Sequence, residues 1–100
     1  MATVSKALAR TAAATSSTTL YTVPASTTTV VTNIAVTNSA ATAATFTITL
    51  DSVDLFKDAA IAANTTALFD LKQVLATTKI IAGLASAVTV KFQISGVEIA

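Results

Sequence analysis

The chain has 100 residues, 53% of them hydrophobic and only 11% charged, with a formal net charge of +1. That length supports one modest core and no second one. The charged fraction is about half of the usual quarter, which excludes a solvated disordered polymer and a basic nucleic-acid-binding surface. A chain this poor in charge should fold, and it should also hide apolar surface against neighbouring copies.

The basic residues Lys6, Arg10, Lys57, Lys72, Lys79 and Lys91 are scattered, whereas phosphate binding needs clustered cations that displace counterions. No cysteine is present, so there is neither a disulfide framework nor a thiolate metal site, which suits assembly in a reducing cell. Mean hydropathy is high, but no stretch of about 18 residues is free of Thr, Ser, Asn or charge, as a membrane-spanning helix requires. The first residues carry two positive charges without a compact apolar stretch behind them, so no signal peptide is read there.

Along the chain, residues 1–17 differ from the rest. Ala, Thr and Ser dominate, and the bulky apolar residues are Val4 and Leu8. The stretch lacks an apolar stripe that would dock it as a helix. It reads as a flexible arm, either free or ordered only on a neighbouring subunit.

From Thr18 to Ala100 the pattern has period two and predicts one β domain. TTLYTV is β-branched and aromatic, and Pro24 ends it. TTTVVTNIAVTN alternates, with Val30, Ile34 and Val36 expected on one face and Val31, Asn33, Ala35 and Thr37 on the other. AATAAT forms a small-residue loop. TFTITLD then places Phe46, Ile48 and Leu50 inward and Thr45, Thr47 and Thr49 outward, the pattern of a half-buried antiparallel strand.

Asp51 and Ser52 mark a turn. A short strand through Val53, Leu55 and Phe56 follows, ended by Lys57 and Asp58. TTALFDL is another strand, and KQVLATT is ambiguous, with one helical turn as a candidate. KIIAGLA reads as a strand broken by Gly83. VTVKFQISGVEI closes the chain, with Val88, Val90, Phe92 and Ile94 on one parity and Val97 and Ile99 resuming on the other. A glycine at such a switch, here Gly96, is the mark of a β-bulge.

Seven or eight short strands at about ten-residue intervals predict an all-β antiparallel sandwich, immunoglobulin-like or jelly-roll. The expected core is Leu20, Val30, Ile34, Val36, Phe46, Ile48, Leu50, Leu55, Phe69, Leu71, Ile80, Val90, Phe92 and Ile94. It would be thin and aliphatic.

Chemistry is scarce. Histidine is absent and Glu98 is the single glutamate, so the commonest general base and metal ligand are missing and no Ser-His-Asp or Cys-His arrangement can form. Ser5-Lys6 lies in the arm, without the strand–turn–helix setting that an activated serine needs. Two distant glycines build no phosphate-cradling loop. No cofactor is expected. Asp51, Asp54 and Asp58 could present oxygen ligands to calcium, but the spacing fits no EF-hand and the residues read more readily as solvated turn carboxylates. Asn64-Thr65-Thr66 fits a glycosylation triplet, a pattern that arises by chance in a Thr-rich chain. Tyr21 and Phe56 could stack on a sugar, although single aromatics in β proteins are more often packing.

The segments TTLYTVPASTTTVVTNIAVTN, FTITLDSVDLF, IAANTTALFDLKQVL and VKFQISGVEI together resemble small virion structural proteins of tailed bacteriophages, over most of the chain after residue 17. The resemblance implies a non-enzymatic capsid decoration (cement) protein on the virion surface, made in the host cytoplasm. Its partners would be the major capsid protein and its own copies, as a trimer at a local three-fold position, gripping the shell with the N-terminal arm. On that arm, Lys6 and Arg10 would pair with acidic patches of the shell, and Val4 and Leu8 would anchor in shallow pockets. The competing readings are a tail or baseplate module and a surface glycan-binding sandwich.

Overall fold

The protein was analysed as a computed structural model that describes residues 3–100. Eight antiparallel strands account for most of them: β1 (Thr3–Ala12), β2 (Thr18–Thr22), β3 (Thr28–Asn38), β4 (Ala44–Leu50), β5 (Val53–Ile61), β6 (Thr65–Leu75), β7 (Ile80–Ala85) and β8 (Val90–Ile99). One sheet has the order β1-β8-β3-β6 and the other β2-β7-β4-β5.

The pairings follow a single scheme. β4 pairs with β5, β3 with β6, β2 with β7 and β1 with β8. The chain is thus one long two-stranded ribbon, bent at the β4–β5 hairpin and rolled so that β3 also meets β8 and β4 also meets β7. Of the two architectures expected from the sequence, this strand order is the jelly roll. The bend is a two-residue turn in which Asp51 and Ser52 both take the left-handed conformation (φ 53° and 62°), the requirement of a turn whose twist matches that of its strands.

The core follows the alternation. Ile34, Val36, Phe46, Ile48, Val90, Phe92 and Ile94 are almost completely buried. The four phenylalanines join in one cluster across the two sheets: Phe46 lies 5.5 Å from Phe56 and 6.3 Å from both Phe69 and Phe92, and Phe56 lies 4.5 Å from Phe69. So the core has an aromatic centre instead of being purely aliphatic. At one end, buried Asn38 ties the loops together. Its amide donates to the Thr42 carbonyl (2.8 Å) and its carbonyl accepts from the Ala40 N–H (3.1 Å) and the Thr89 hydroxyl (3.3 Å), leaving no unpaired polar group behind.

Several expectations change. Residues 3–12 of the expected arm are a full strand: β1 runs beside β8 from Thr3↔Ile99 to Ala12↔Lys91, while residues 1 and 2 lie outside the described residues. The β8 edge supplies ladder partners that local propensity could not reveal. β5 continues through Lys57 and Asp58 to Ile61, absorbing them as a bulge opposite Thr47, whose hydroxyl accepts the Asp58 N–H (3.0 Å). Lys72–Leu75 extends β6 and is not a helical turn. β7 runs unbroken through Gly83, whose missing side chain makes room for Leu20 and Phe92.

The largest change concerns Gly96. β8 itself is regular; the extra residues lie in its two neighbours, Leu8 in β1 opposite Ser95–Ile94 and Thr32 in β3 opposite Gly96–Ser95. A bulge reverses which residues face inward beyond it. Val31 is therefore fully buried where Val30 was expected, and Val97 and Ile99 do not return to the core. Ile81, not Ile80, is the buried member of its pair.

A Cβ on Gly96 would stand 2.4 Å from the Val30 carbonyl oxygen and 2.9 Å from Leu8 Cδ1. One on Gly83 would meet Leu20 Cδ1 at 2.9 Å, the movable end of a side chain. Gly96→Ala is accordingly predicted to cost about 3 kcal/mol or more, and Gly83→Ala about 1 kcal/mol, as overpacking against backbone and side chain respectively. Chemical denaturation of the two variants measures the difference.

Candidate functional site

Beyond the bulges a polar cluster enters the inside of the sandwich beside Val31 and Leu75. Glu98 keeps the inward parity of Phe92 and Ile94, so its carboxylate enters the end of the sandwich between β1, β8 and β2. The Tyr21 hydroxyl donates to Glu98 from the facing sheet. Having given its proton to Glu98, that hydroxyl accepts from the Thr29 hydroxyl (2.9 Å). Lys6 on β1 completes the cluster, with Nζ 3.4 Å from both carboxylate oxygens. The Glu98 side chain is only 14% exposed against 49% for Lys6, so the cluster clasps both sheets and the edge strand β1 together.

Its electrostatics follow from these contacts. The Tyr21 hydrogen bond, opposed by partial desolvation and aided by the bond and charge of Lys6, holds the Glu98 carboxyl below the ordinary carboxylate range. Burial, then the Glu98 hydrogen bond and charge, pushes the Tyr21 phenol up against the smaller opposing effect of Thr29. Both directions run against acid–base chemistry near neutrality, which wants a carboxyl raised and a phenol lowered. What the arrangement can do is hold strands together.

The four residues expected to contact a partner are on β1, but the structure gives them different roles. Leu8 is buried over Gly96 in the chain's own core, so it cannot anchor in another protein; the bulge turns it inward. Lys6 is engaged by Glu98. Val4 is 51% exposed, and Arg10 is exposed on the outer face beside Gln93.

The aspartates do not converge. Asp51 faces Lys79 (3.6 Å), Asp58 stands beside Lys57 (3.9 Å) in its bulge, and Asp54 borders a shallow hollow with Leu50, Val53, Leu55 and Gln73. Among the described residues no group of three or more His, Cys, Asp or Glu side chains is placed to hold a metal ion. Tyr21 on β2 and Phe56 on β5 lie at opposite edges of their sheet, and so make no common stacking platform. Asn64 is exposed in the turn before β6, its N–H given to the Ala40 carbonyl (3.0 Å).

Sequence reasoning missed the Tyr21–Glu98–Lys6 cluster. The available signal was a lone glutamate in a strand whose one other charge is Lys91, and its inward parity follows from the alternation of Phe92 and Ile94 once no bulge is placed at Gly96.

The clasp has a defined pH dependence. A carboxyl whose pKa is lowered by folding stabilises the fold above its unfolded-state value, and that stability is lost as the pH falls through the folded-state value. Tyr21→Phe removes the first cause of the shift. The variant should melt below the parent at neutral pH, with the gap narrowing as the pH drops below about 4, the ordinary carboxylate value. Thermal melts from pH 7 to pH 2 measure this, and a gap independent of pH would contradict it.

Comparison with known proteins adds no relative: no family model, no curated protein and no solved structure matches the chain.

Proposed function

We propose that the chain is a non-enzymatic structural protein of a virion, a capsid decoration (cement) protein that binds the major capsid protein and stabilises the head. The supporting observation is a jelly roll whose polar side chains serve its own fold. Jelly rolls occur in viral capsid, lectin and cupin proteins alike, so the fold by itself decides nothing between them. A cupin-type metal centre would draw on histidine ligands, and this chain has none. A lectin-type site calls for convergent aromatic and polar groups, whereas Tyr21 is engaged by Glu98 and Phe56 by its fellow phenylalanines. The structural reading uses surface alone. The likeness of the chain's segments to small tailed-phage virion proteins gives that surface its setting, on the outside of a head assembled in the host cytoplasm.

On this reading the shell is stabilised by many shallow contacts acting together, an effect of multivalency that needs no deep pocket. Exposed Val4 and Arg10 on the edge strand β1 are the expected contact residues left free to meet the shell.

Mass spectrometry of separated heads and tails, from particles of the virus that encodes the chain, tests the proposal. Recovery in the head fraction is the expected result, and purified chain added to undecorated heads should raise their temperature of disruption. Recovery in tails alone would replace the head assignment with the tail or baseplate one. Absence from both fractions would overturn the virion reading.

A further inference from the structure

The outer face of the sheet β1-β8-β3-β6 carries side chains that a solvent-facing surface would not select. Its rows follow from the ladder register. At one end stand Ala12, Lys91, Thr37 and Thr66, then Arg10, Gln93, Ala35 and Leu68, then Ala7, Ser95, Asn33 and Asp70. Past the bulges come Ser5, Val97, Val30 and Val74, then Thr3, Ile99 and Thr28. In this last part apolar side chains stand on both faces: Val97, Val30, Ile99 and Val74 point outward, while Val31 and Leu75 point inward beside Glu98, Lys6 and Thr29. Leu68 and Val74 are 71% and 66% exposed, the most exposed large apolar residues of this sheet. An antiparallel sheet normally turns its apolar side inward, so the additional apolar row on the outer face is explained by something that covers it.

We infer that what covers this face is the same face of a second copy, packed sheet on sheet about a two-fold axis parallel to the strands. Such an axis reverses strand order while keeping row order, so β1 of one copy lies over β6 of the other and β8 over β3. The row of Ser5, Val97, Val30 and Val74 then meets itself in reverse, with Val97 on Val30 twice at the centre and Val74 over Ser5 at each margin. At the margins, Arg10 of one copy lies over Leu68 of the other, one row from Asp70 and within the reach of an arginine side chain. Both margins gain that contact at once, because an isologous interface repeats each contact. A two-fold axis across the strands would stack Leu68 on Val74, but it would set Arg10 over Ser5 and Lys91 over Ile99, with no partner for their charge, and Asp70 over its own copy.

The size is adequate. Four strands of ten or eleven residues cover about 33 Å by 19 Å at the usual rise and spacing, on the order of 600 Å² per copy. Two copies would bury about 1,200 Å², the lower end of specific stable interfaces. The net charge of +1 opposes association very little.

The inference stands apart from the virion reading, because it concerns the purified chain alone, and its symmetry is two-fold where the phage resemblance implied a trimer. Sedimentation of the full chain over a range of concentrations gives the test. A concentration-dependent dimer is expected. Val97→Lys should weaken dimerisation at least tenfold while leaving the circular dichroism and melting of the monomer intact. Asp70→Lys should weaken it less, and combining it with Arg10→Glu should restore most of the loss, since the two charges exchange places. A monomer at millimolar concentration, a trimer, or a dimer that tolerates Val97→Lys in folded protein would overturn the inference. So would failure of the charge exchange to rescue.

Discussion

The missing side chain at Gly96 governs the terminal half of the structure. At this position the Val30 carbonyl and the Leu8 side chain close on β8 from its two neighbouring strands, at distances that leave no room for even a methyl group. Both neighbours meet that approach by adding one residue, Thr32 in β3 and Leu8 in β1, while β8 passes straight through. The extra residues are what let β8 keep its parity to the C-terminus. Everything beyond them, including which side chains face in and which face out, follows from where those two bulges fall.

Two consequences are linked through that geometry. Inward parity carries Glu98 into the sandwich, where a carboxylate is tolerated only with partners; Tyr21, Lys6 and, through Tyr21, Thr29 supply them. The clasp joins β1 to both sheets, and β1 has few other buried side chains to hold it. Outward parity puts Val97 and Ile99 beside Val30 and Val74 on the opposite face of the same sheet. The internal polar clasp and the external apolar row therefore follow from the same strand parity.

Much of the fold was legible in the sequence. The Thr/apolar alternation of Thr45–Leu50 and Val90–Ile94 identified strands and their buried faces, and Asp51-Ser52 identified the hairpin at which the ribbon bends. The limits have physical causes. Period-two reasoning assumes an uninterrupted strand, so it assigned Val30 inward and Val31 outward, whereas a bulge at Thr32 reverses that pair. It placed the irregularity on Gly96 itself, because a glycine in a strand signals close approach without saying which strand yields. The Ala- and Thr-rich segment 3–12 has no apolar stripe and read as an arm; its order comes from the β8 ladder, a non-local contact. Of the candidate contact residues, exposed Val4 and Arg10 remain on the surface, Leu8 is core, and Lys6 belongs to a cluster visible only when β1, β2 and β8 are brought together.

The absence of native cysteine allows the parity of β3 to be tested directly by thiol labelling of Val30→Cys and Val31→Cys in dilute protein. The account predicts that the thiol at position 30 reacts readily in the folded state. The thiol at position 31, in place of a side chain with 0% exposure, should react only when the protein unfolds. Protection at 30 with ready reaction at 31 would mean that β3 carries no bulge at Thr32, and that Val30 does not stand on the outer face of the sheet.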